Sequence, residues 1–374
     1  MLYEWRRAVG CKVEGGGERA NMMSTLVGMG ITALLAVPVA LGLAASSSPP
    51  AADHPQAEIS NSELRARIYL PDAGKGFYRG TRFDWAGAVS SLEYKGHNYY
   101  GQWYTRSDPR VHDFAFEGDD IVTSTCCTIQ GPVEEFKTGD SALGFDEAAV
   151  GGTFIKIGVG VLRKDSEKYD VFKQYELVDA GKWTVKTQHE SVEFTHELTD
   201  AASGYGYIYR KTVRLIAGKP QMVLEHHLKN TGRRAIRGSV YGHNFLMLDG
   251  QTTGADFKVT VPFQIHSPQP PKQGVAEIRG NQFVYLKTLV DRDVVYVPLL
   301  GFSDNPKDNE VRIENKRVGA GVVVRGNRPL TNMALWSIRS VLAVEPFISM
   351  TIEPGREFDW DVTYEYYTIA PSLN

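Results

Sequence analysis

The chain has 374 residues, of which 42% are hydrophobic and 23% are charged, and this excludes a disordered or collagen-like protein. At roughly 100–200 residues per domain, the length allows one large domain or two to three ordinary ones. The formal net charge is −3 and basic residues occur in scattered pairs, so nothing indicates a nucleic-acid partner. Three cysteines are too few for a disulfide scaffold.

The N-terminus has the pattern of a targeting segment. Residues 1–25 carry several basic side chains, residues 26–45 are uncharged and mostly apolar, and small residues follow. This order is typical of a secretory signal peptide, and the alternative is a membrane anchor, because about 20 apolar residues can span a bilayer. Residues 1–45 are therefore predicted to direct export to the periplasm or the extracellular space, with membrane attachment only if the segment is retained. Residues 46–58, rich in Ala, Ser and Pro, are predicted to form a flexible linker.

The rest of the chain has the alternation of β-strands. Apolar and polar residues alternate over residues 222–229 and again over residues 357–366, with Asn, Gly and Pro turn clusters between such runs. The pattern predicts an all-β fold, an antiparallel sandwich or barrel, forming a single β-domain over residues 59–374. Cys126 and Cys127 are adjacent, and neighbouring cysteines rarely form a disulfide because the geometry is strained. They are expected to be small buried residues in a strand.

Motifs for cofactor chemistry are missing from the sequence. No phosphate-binding loop, dinucleotide-binding fingerprint or HExxH motif occurs, and His189-Glu190 and His196-Glu197 lack a second histidine at the required spacing. We therefore expect neither a metal nor an organic cofactor.

Three segments in the second half combine turn residues with titratable groups. A turn at Asn230-Thr231-Gly232 precedes the segment Tyr241-Gly242-His243-Asn244-Phe245. Glu345 lies inside the apolar run Val341–Phe347, where a carboxylate is costly unless it is paired or faces a cleft. A Pro354-Gly355 turn then opens the final strand.

The order of these segments resembles the aldose 1-epimerase (galactose mutarotase-like) superfamily, over roughly residues 76–368. The resemblance implies a large antiparallel β-sandwich, the galactose mutarotase-like supersandwich, with a sugar cleft across one sheet. It also implies a carbohydrate substrate and two catalytic residues. His243 would protonate the ring oxygen, and Glu345 would take the proton of the anomeric hydroxyl. We expect the two groups on opposite sides of one sugar-sized cleft, and we expect burial to raise the pKa of Glu345.

The first half departs from the family pattern. The histidine-proline of the family is His243-Asn244 here, and the family's Asn-Arg pair and Leu-His-Gly-Gly segment are not found. These departures put free galactose or glucose in doubt as the substrate. Arginines can bind sugar hydroxyls and aromatic rings can stack on a sugar face, so polar and aromatic residues of this region are the candidates for substrate binding. They are Arg79, Arg82, Trp103, Arg106, Arg110, His112, Glu134 and Glu135.

The sequence therefore predicts an exported carbohydrate-active enzyme, an aldose 1-epimerase-type isomerase. Two alternatives remain open. A glycoside hydrolase or polysaccharide lyase could use two carboxylates from Glu134, Glu135 and Glu345 in the same cleft. A non-catalytic carbohydrate-binding protein would instead line a groove with aromatic rings, and fold alone does not choose among the three.

Overall fold

A computed structural model of the protein describes residues 54–370. This part of the chain consists of strands joined by turns, with three short 3-10 helices at Thr125–Cys127, Leu248–Gly250 and Pro306–Asp308. The strands are β1 (Gln56–Ser60), β2 (Leu64–Tyr69), β3 (Val89–Tyr94), β4 (His97–Asn98), β5 (Arg106–Ser107), β6 (Phe114–Glu117), β7 (Asp120–Thr123), β8 (Gly131–Lys137), β9 (Thr153–Lys156), β10 (Gly160–Arg163), β11 (Leu177–Asp179), β12 (Lys182–Thr187), β13 (Ser191–Asp200), β14 (Tyr205–Leu215), β15 (Gln221–Asn230), β16 (Ile236–Phe245), β17 (Phe257–Thr260), β18 (Ala276–Arg279), β19 (Gln282–Tyr285), β20 (Val295–Pro298), β21 (Glu310–Asn315), β22 (Ala320–Gly326), β23 (Asn332–Ile338), β24 (Val341–Ile352) and β25 (Glu357–Thr368).

Two large antiparallel sheets form the body of the molecule. The larger sheet has ten strands in the order β12-β13-β14-β15-β25-β22-β21-β17-β19-β18, and the second has five in the order β20-β23-β24-β16-β8. Three small sheets, β1-β2-β3-β4, β11-β10-β9 and β5-β7-β6, complete the described part of the chain. The predicted all-β, antiparallel fold is confirmed.

The two large sheets pack face to face, and this contact forms part of the hydrophobic core. Tyr209 and Trp360 of the ten-stranded sheet share one buried cluster with Val240 and Ile348 of the five-stranded sheet. In β15, every second residue is buried, as expected for a strand with one covered face. In β24, by contrast, the first five residues are all buried. The five-stranded sheet is therefore covered on both faces, and its outer face is available for a buried site.

The N-terminal predictions fall mostly outside the described residues. The signal peptide or anchor at 1–45 and most of the linker lie there and stay predictions. The structure differs from the predicted end of the linker at residue 58, because β1 begins at Gln56 and pairs with β2 from that residue onward. Residues 56–58 thus belong to a hydrogen-bonded strand. Within residues 54–370, no helix is long and apolar enough to cross a bilayer.

The cysteine pair also departs from the prediction in part. Cys126 and Cys127 are buried and free, as expected, but they lie in a 3-10 helix and not in a strand. This helix connects β7 to β8, and the amide of Cys127 donates to the carbonyl of Ser124 within it. Such local turns leave no period-two signal in the sequence.

Candidate active site

The register between β16 and β24 places His243 beside Glu345. Tyr241 pairs with Phe347, and farther along the same two segments Leu246 pairs with Leu342. Both pairs belong to one antiparallel register, in which His243 is directly opposite Glu345. Side chains at opposed positions of neighbouring strands share a face and touch. Nε2 of His243 accordingly lies 3.1 Å from Oε1 of Glu345.

Alternation along β16 directs His243 to the outer face of the five-stranded sheet. Val240 belongs to the core between the two large sheets, and Asn244 accepts a hydrogen bond from Tyr364 of the ten-stranded sheet at 2.7 Å. Because successive side chains of a strand point to opposite faces, Tyr241, His243 and Phe245 point the other way. The candidate site is therefore on the face of the sheet that does not meet the ten-stranded sheet.

Aromatic rings enclose the histidine. The imidazole stacks on Phe245 with ring centroids 3.8 Å apart, and Phe83 and Trp336 meet it edge-on at 5.6 and 5.7 Å. Trp103 stacks on the ring of Phe245. Only 5% of His243 remains exposed, so both members of the pair are taken out of bulk water.

Burial shifts the pKa values of the pair in opposite directions. Loss of hydration disfavours the imidazolium and, helped by the nearby Arg82 cation, lowers the pKa of His243 well below its usual range. The same loss of hydration disfavours the carboxylate and raises the pKa of Glu345 to about 8, although Arg82 opposes the shift. These shifts favour an uncharged pair near neutral pH, with one proton on the carboxyl group of Glu345 and a neutral imidazole beside it.

A network of charged groups adjoins this pair. Glu135 of β8 accepts hydrogen bonds from Arg82 at 2.8 Å, from Lys156 at 3.1 Å and from Tyr241 at 2.5 Å. Asp113 lies 3.8 Å from the Arg82 guanidinium. Burial alone would raise the pKa of Glu135, but Lys156 and Arg82 hold it well below its usual range. Glu135 is thus a permanent anion that is already neutralised by its neighbours.

Arg82 is held between two phenylalanine rings. Its guanidinium carbon lies 4.5 Å from the ring centroid of Phe83 and 4.9 Å from that of Phe172. The Sγ of Cys127 lies 3.4 Å from the guanidinium and donates to Asp113. The candidate Arg82 is therefore brought to the site, close to His243 and Glu345.

Glu134, the neighbour of Glu135 in the sequence, points to the opposite face. It contacts His226 at 3.0 Å and pairs with Lys211, both of which belong to the ten-stranded sheet. Asp84 lies 3.8 Å from the same Lys211, and burial raises the pKa of Asp84 to about 7. We call these four residues the inter-sheet cluster. Glu134 therefore does not reach the candidate site.

The remaining predicted binding residues lie elsewhere or have another role. Trp103 is part of the aromatic enclosure, and its indole donates to the carbonyl of Ile129 at 2.9 Å. The other four are exposed and contact groups of nearby loops and strands: Arg79 the carbonyl of Gly74, Arg106 the carboxylate of Glu117, Arg110 that of Asp108 and His112 that of Asp170. Among the described residues, none of these four contacts His243 or Glu345.

Sequence reasoning missed several members of the site. Lys156 was not among the predicted site residues, although it is fully buried against Glu135. Asp113 and Trp336 were not singled out as site residues. A lysine within the apolar run Phe154–Val159 was an available signal, because lysine is almost never fully buried without a partner. Asp113 follows the candidate His112 in a polar run, whereas Trp336 offered no comparable local signal.

The site has no metal-binding arrangement in the described part of the chain. Across residues 54–370, no group of three or more His, Cys, Asp or Glu side chains is placed to hold an ion. The chemistry that the residues themselves offer is proton transfer, since one acidic and one basic group of shifted pKa lie in contact.

Comparison with known proteins gives structural matches only. No protein-family model and no curated protein sequence matches the chain. A galactose mutarotase-like protein from Lactobacillus casei aligns at 14% identity and a TM-score of 0.48, covering 83% of this chain and 100% of its own. One from Clostridium acetobutylicum aligns at 12% identity and a TM-score of 0.49, covering 83% and 95%. An aldose epimerase homologue from C. elegans aligns at 14% identity and a TM-score of 0.46, covering 84% and 99%.

Proposed function

We propose that the protein is an aldose 1-epimerase-type isomerase that interconverts the α and β anomers of a free sugar. The observation that carries this proposal is the 3.1 Å contact between Nε2 of His243 and Oε1 of Glu345. Both groups are buried on the outer face of the five-stranded sheet, and their pKa values are shifted in opposite directions. Such pairs of titratable groups are typical of acid–base sites.

The reaction requires two coupled proton transfers. Ring opening breaks the bond between the anomeric carbon and the ring oxygen, which gains a proton, while the anomeric hydroxyl loses one and becomes the carbonyl oxygen. After rotation about the bond between the first two carbons, ring closure reverses both transfers. The pair gives up one proton and takes one back, so its net charge is unchanged through the cycle. The direct contact between the two side chains lets them share that proton again.

The distribution of the proton differs from the roles that the sequence resemblance implied. In the resemblance, His243 is the acid and Glu345 is the base. In the unliganded site, the opposite pKa shifts favour the proton on Glu345, which makes the carboxyl group the better initial acid and the imidazole the better initial base. Because closure on the other face reverses each transfer, both groups serve in both roles.

The placement of the two groups also differs from the expected cleft. A sugar ring does not fit between atoms 3.1 Å apart, so His243 and Glu345 do not face each other across a substrate. The sugar would instead lie beside the pair. The anomeric oxygen and the ring oxygen are bonded to the same carbon, so both can be reached from one side. Both groups are nearly closed to solvent, and sugar binding therefore has to displace side chains that cover them.

The geometry gives less support to a glycosidase. A hydrolase needs a second carboxyl group at roughly 5–9.5 Å from the first across the cleft. Glu134 lies on the opposite face of the sheet, and Glu135 is neutralised by Arg82 and Lys156. A purely sugar-binding protein has no need of a buried pair with opposed pKa shifts.

Polarimetry tests the proposal directly. The rate of mutarotation of freshly dissolved aldoses is measured with the wild type, His243→Ala and Glu345→Gln, and with His227→Gln as a control at a partly exposed histidine of β15. We expect the two site variants to lose at least 100-fold in kcat, since general acid–base catalysis contributes about 10²–10⁴-fold. The control should keep the wild-type rate. Equal rates in all four proteins would reject the catalytic assignment.

We also propose that the protein acts outside the cytoplasm, on the basis of the leader pattern in residues 1–45. Expression of the full chain, followed by cell fractionation and N-terminal sequencing of the mature protein, tests this. A mature N-terminus near residue 45 in the exported fraction supports cleavage, and an intact chain in the cytoplasm contradicts export.

A further inference from the structure

Two buried ring nitrogens in the candidate site have no hydrogen-bond partner. They are Nδ1 of His243 and Nε1 of Trp336. The two ring centroids are 5.7 Å apart and the ring planes meet at 69°. Buried polar atoms without partners are rare in proteins, and two of them on adjacent rings of the candidate site call for a physical explanation.

The fold explains why Trp336 has no partner within the protein. Trp336 lies on β23 opposite Ala343, and Ala334 on the same face stands opposite Glu345. The indole is therefore a diagonal neighbour of Glu345. The residues directly opposite Trp336 and Glu345 are both alanines, whose methyl groups offer no hydrogen-bond partner. The rings of Trp103 and Phe114 meet it edge-on at 5.7 and 5.6 Å. These rings offer no strong acceptor to the indole N–H, whereas the indole of Trp103 itself donates to a backbone carbonyl.

The chemistry of the two nitrogens selects the group that would bind. An indole N–H can only donate, so the missing partner must accept. Nδ1 of His243 donates when it carries the ring hydrogen and Nε2 accepts from the Glu345 carboxyl group, and it accepts when Nε2 carries the ring hydrogen instead. Only a group that both accepts and donates satisfies Trp336 and both states of the imidazole. A hydroxyl group has this property. A carboxylate or carbonyl oxygen only accepts, so it fits Nδ1 of His243 only when Nδ1 carries the hydrogen. An ammonium group only donates, so it cannot accept from the indole N–H.

We propose that the indole N–H of Trp336 and Nδ1 of His243 together hold one hydroxyl group of the bound sugar. This inference rests on the proposed function, and it adds Trp336 as a substrate-positioning residue. The hydroxyl contact fixes the sugar relative to the His243–Glu345 pair, which a proton transfer over hydrogen-bond distance requires.

Kinetics of Trp336→Phe provide the first test. This variant keeps an aromatic ring but removes the N–H donor together with part of the indole ring system, so a control that loses the same atoms is needed. We expect KM for the aldose to rise about tenfold, the effect of one lost hydrogen bond to a neutral group, while kcat changes less than threefold. Trp183→Phe is the matched control, because Nε1 of Trp183 also has no partner but the residue lies on β12 of the ten-stranded sheet. An unchanged KM in Trp336→Phe would overturn the inference.

A titration by nuclear magnetic resonance decides the question without turnover. The wild type is labelled with ¹⁵N at the indole positions and titrated with D-glucose, D-galactose, D-xylose and L-arabinose, with the Trp336→Phe spectrum assigning the peak. We expect the Trp336 indole peak to shift on saturation while the Trp183 peak stays in place. If the wild type catalyses no mutarotation but the Trp336 peak shifts, the proposed function fails and the hydroxyl site stands. If mutarotation occurs and the Trp336 peak does not move at saturating sugar, the hydroxyl site fails and the proposed function stands.

Discussion

Two glycines on one face of β16 should respond in opposite ways to the same substitution. Gly238 and Gly242 are four residues apart, so both lie on the side that faces the ten-stranded sheet. A Cβ at Gly242 would have only the amide of Asn244 within 4 Å, at 3.9 Å. A Cβ at Gly238 would lie 2.1 Å from the backbone carbonyl oxygen of Lys137 on β8.

The space beside Gly242 is a cavity between the two large sheets. It has a volume of about 30 Å³, and its lining includes Gly242, Asn244, Trp360 and Tyr364. Gly242→Ala places a methyl group there at normal contact distance, and it also restricts the unfolded chain. We expect a gain of roughly 0.5–2 kcal/mol in the free energy of unfolding. Neither glycine has a positive φ, so alanine fits the strand conformation at both positions.

Gly238→Ala cannot be accommodated by a side-chain movement, because the obstructing atom belongs to the backbone. The strands β8 and β16 would have to separate, at a cost of about 1–3 kcal/mol. Urea denaturation of the wild type and both variants, followed by tryptophan fluorescence, measures the midpoints and slopes. We expect the midpoint of Gly242→Ala above that of the wild type, the midpoint of Gly238→Ala below it, and equal slopes. A loss of stability in Gly242→Ala equal to that in Gly238→Ala would refute this description of the sheet interface.

Two further predictions concern buried charge. An unfolded chain releases the Glu345 proton near its ordinary pKa of 4.5, but the folded protein keeps it to about 8, so stability falls as the pH rises between these values. The full shift corresponds to roughly 4–5 kcal/mol. When unfolding is measured at pH values from 4 to 9, Glu345→Gln should therefore decline less steeply than the wild type and keep only the part that the raised pKa of Asp84 contributes, whereas a decline parallel to that of the wild type would contradict the assignment. Lys211→Met should lower the free energy of unfolding by about 3–5 kcal/mol, because it leaves Glu134 buried without its lysine. Lys186→Met breaks an exposed pair with Glu193 and should lower the free energy of unfolding by at most about 1 kcal/mol. Equal losses in the two lysine variants, measured by urea denaturation, would show that the inter-sheet cluster is not stabilised as described.

The strand architecture could be predicted because its signal is local. Alternation in residues 222–229 and 357–366 reflects the direction of side chains along one strand, and β15 and β25 lie there in the structure. The pattern could not reveal that these two strands are neighbours, since 126 residues separate Asn230 from Glu357 and pairing depends on the whole chain.

The candidate site was also predictable from the sequence only in part. A buried glutamate in an apolar run was visible in the sequence, and the resemblance linked Glu345 to His243. Their contact follows from the register of β16 and β24, which no local pattern encodes. Alternation required Glu134 and Glu135 to point to opposite faces, yet both faces of β8 are buried, so the sequence of this strand gives no preference for either.

The sequence by itself thus determined that the chain forms half-buried strands and that Glu345 must have a special environment, because both properties depend on the polarity of consecutive residues. The tertiary structure alone decided which polar groups meet. Lys156, Arg82 and Asp113 join the site, whereas Arg106 and Arg110 remain at the surface. The physical reason is that burial and ion pairing are set by strand register and by the packing of sheets, to which residues far apart in the chain contribute together.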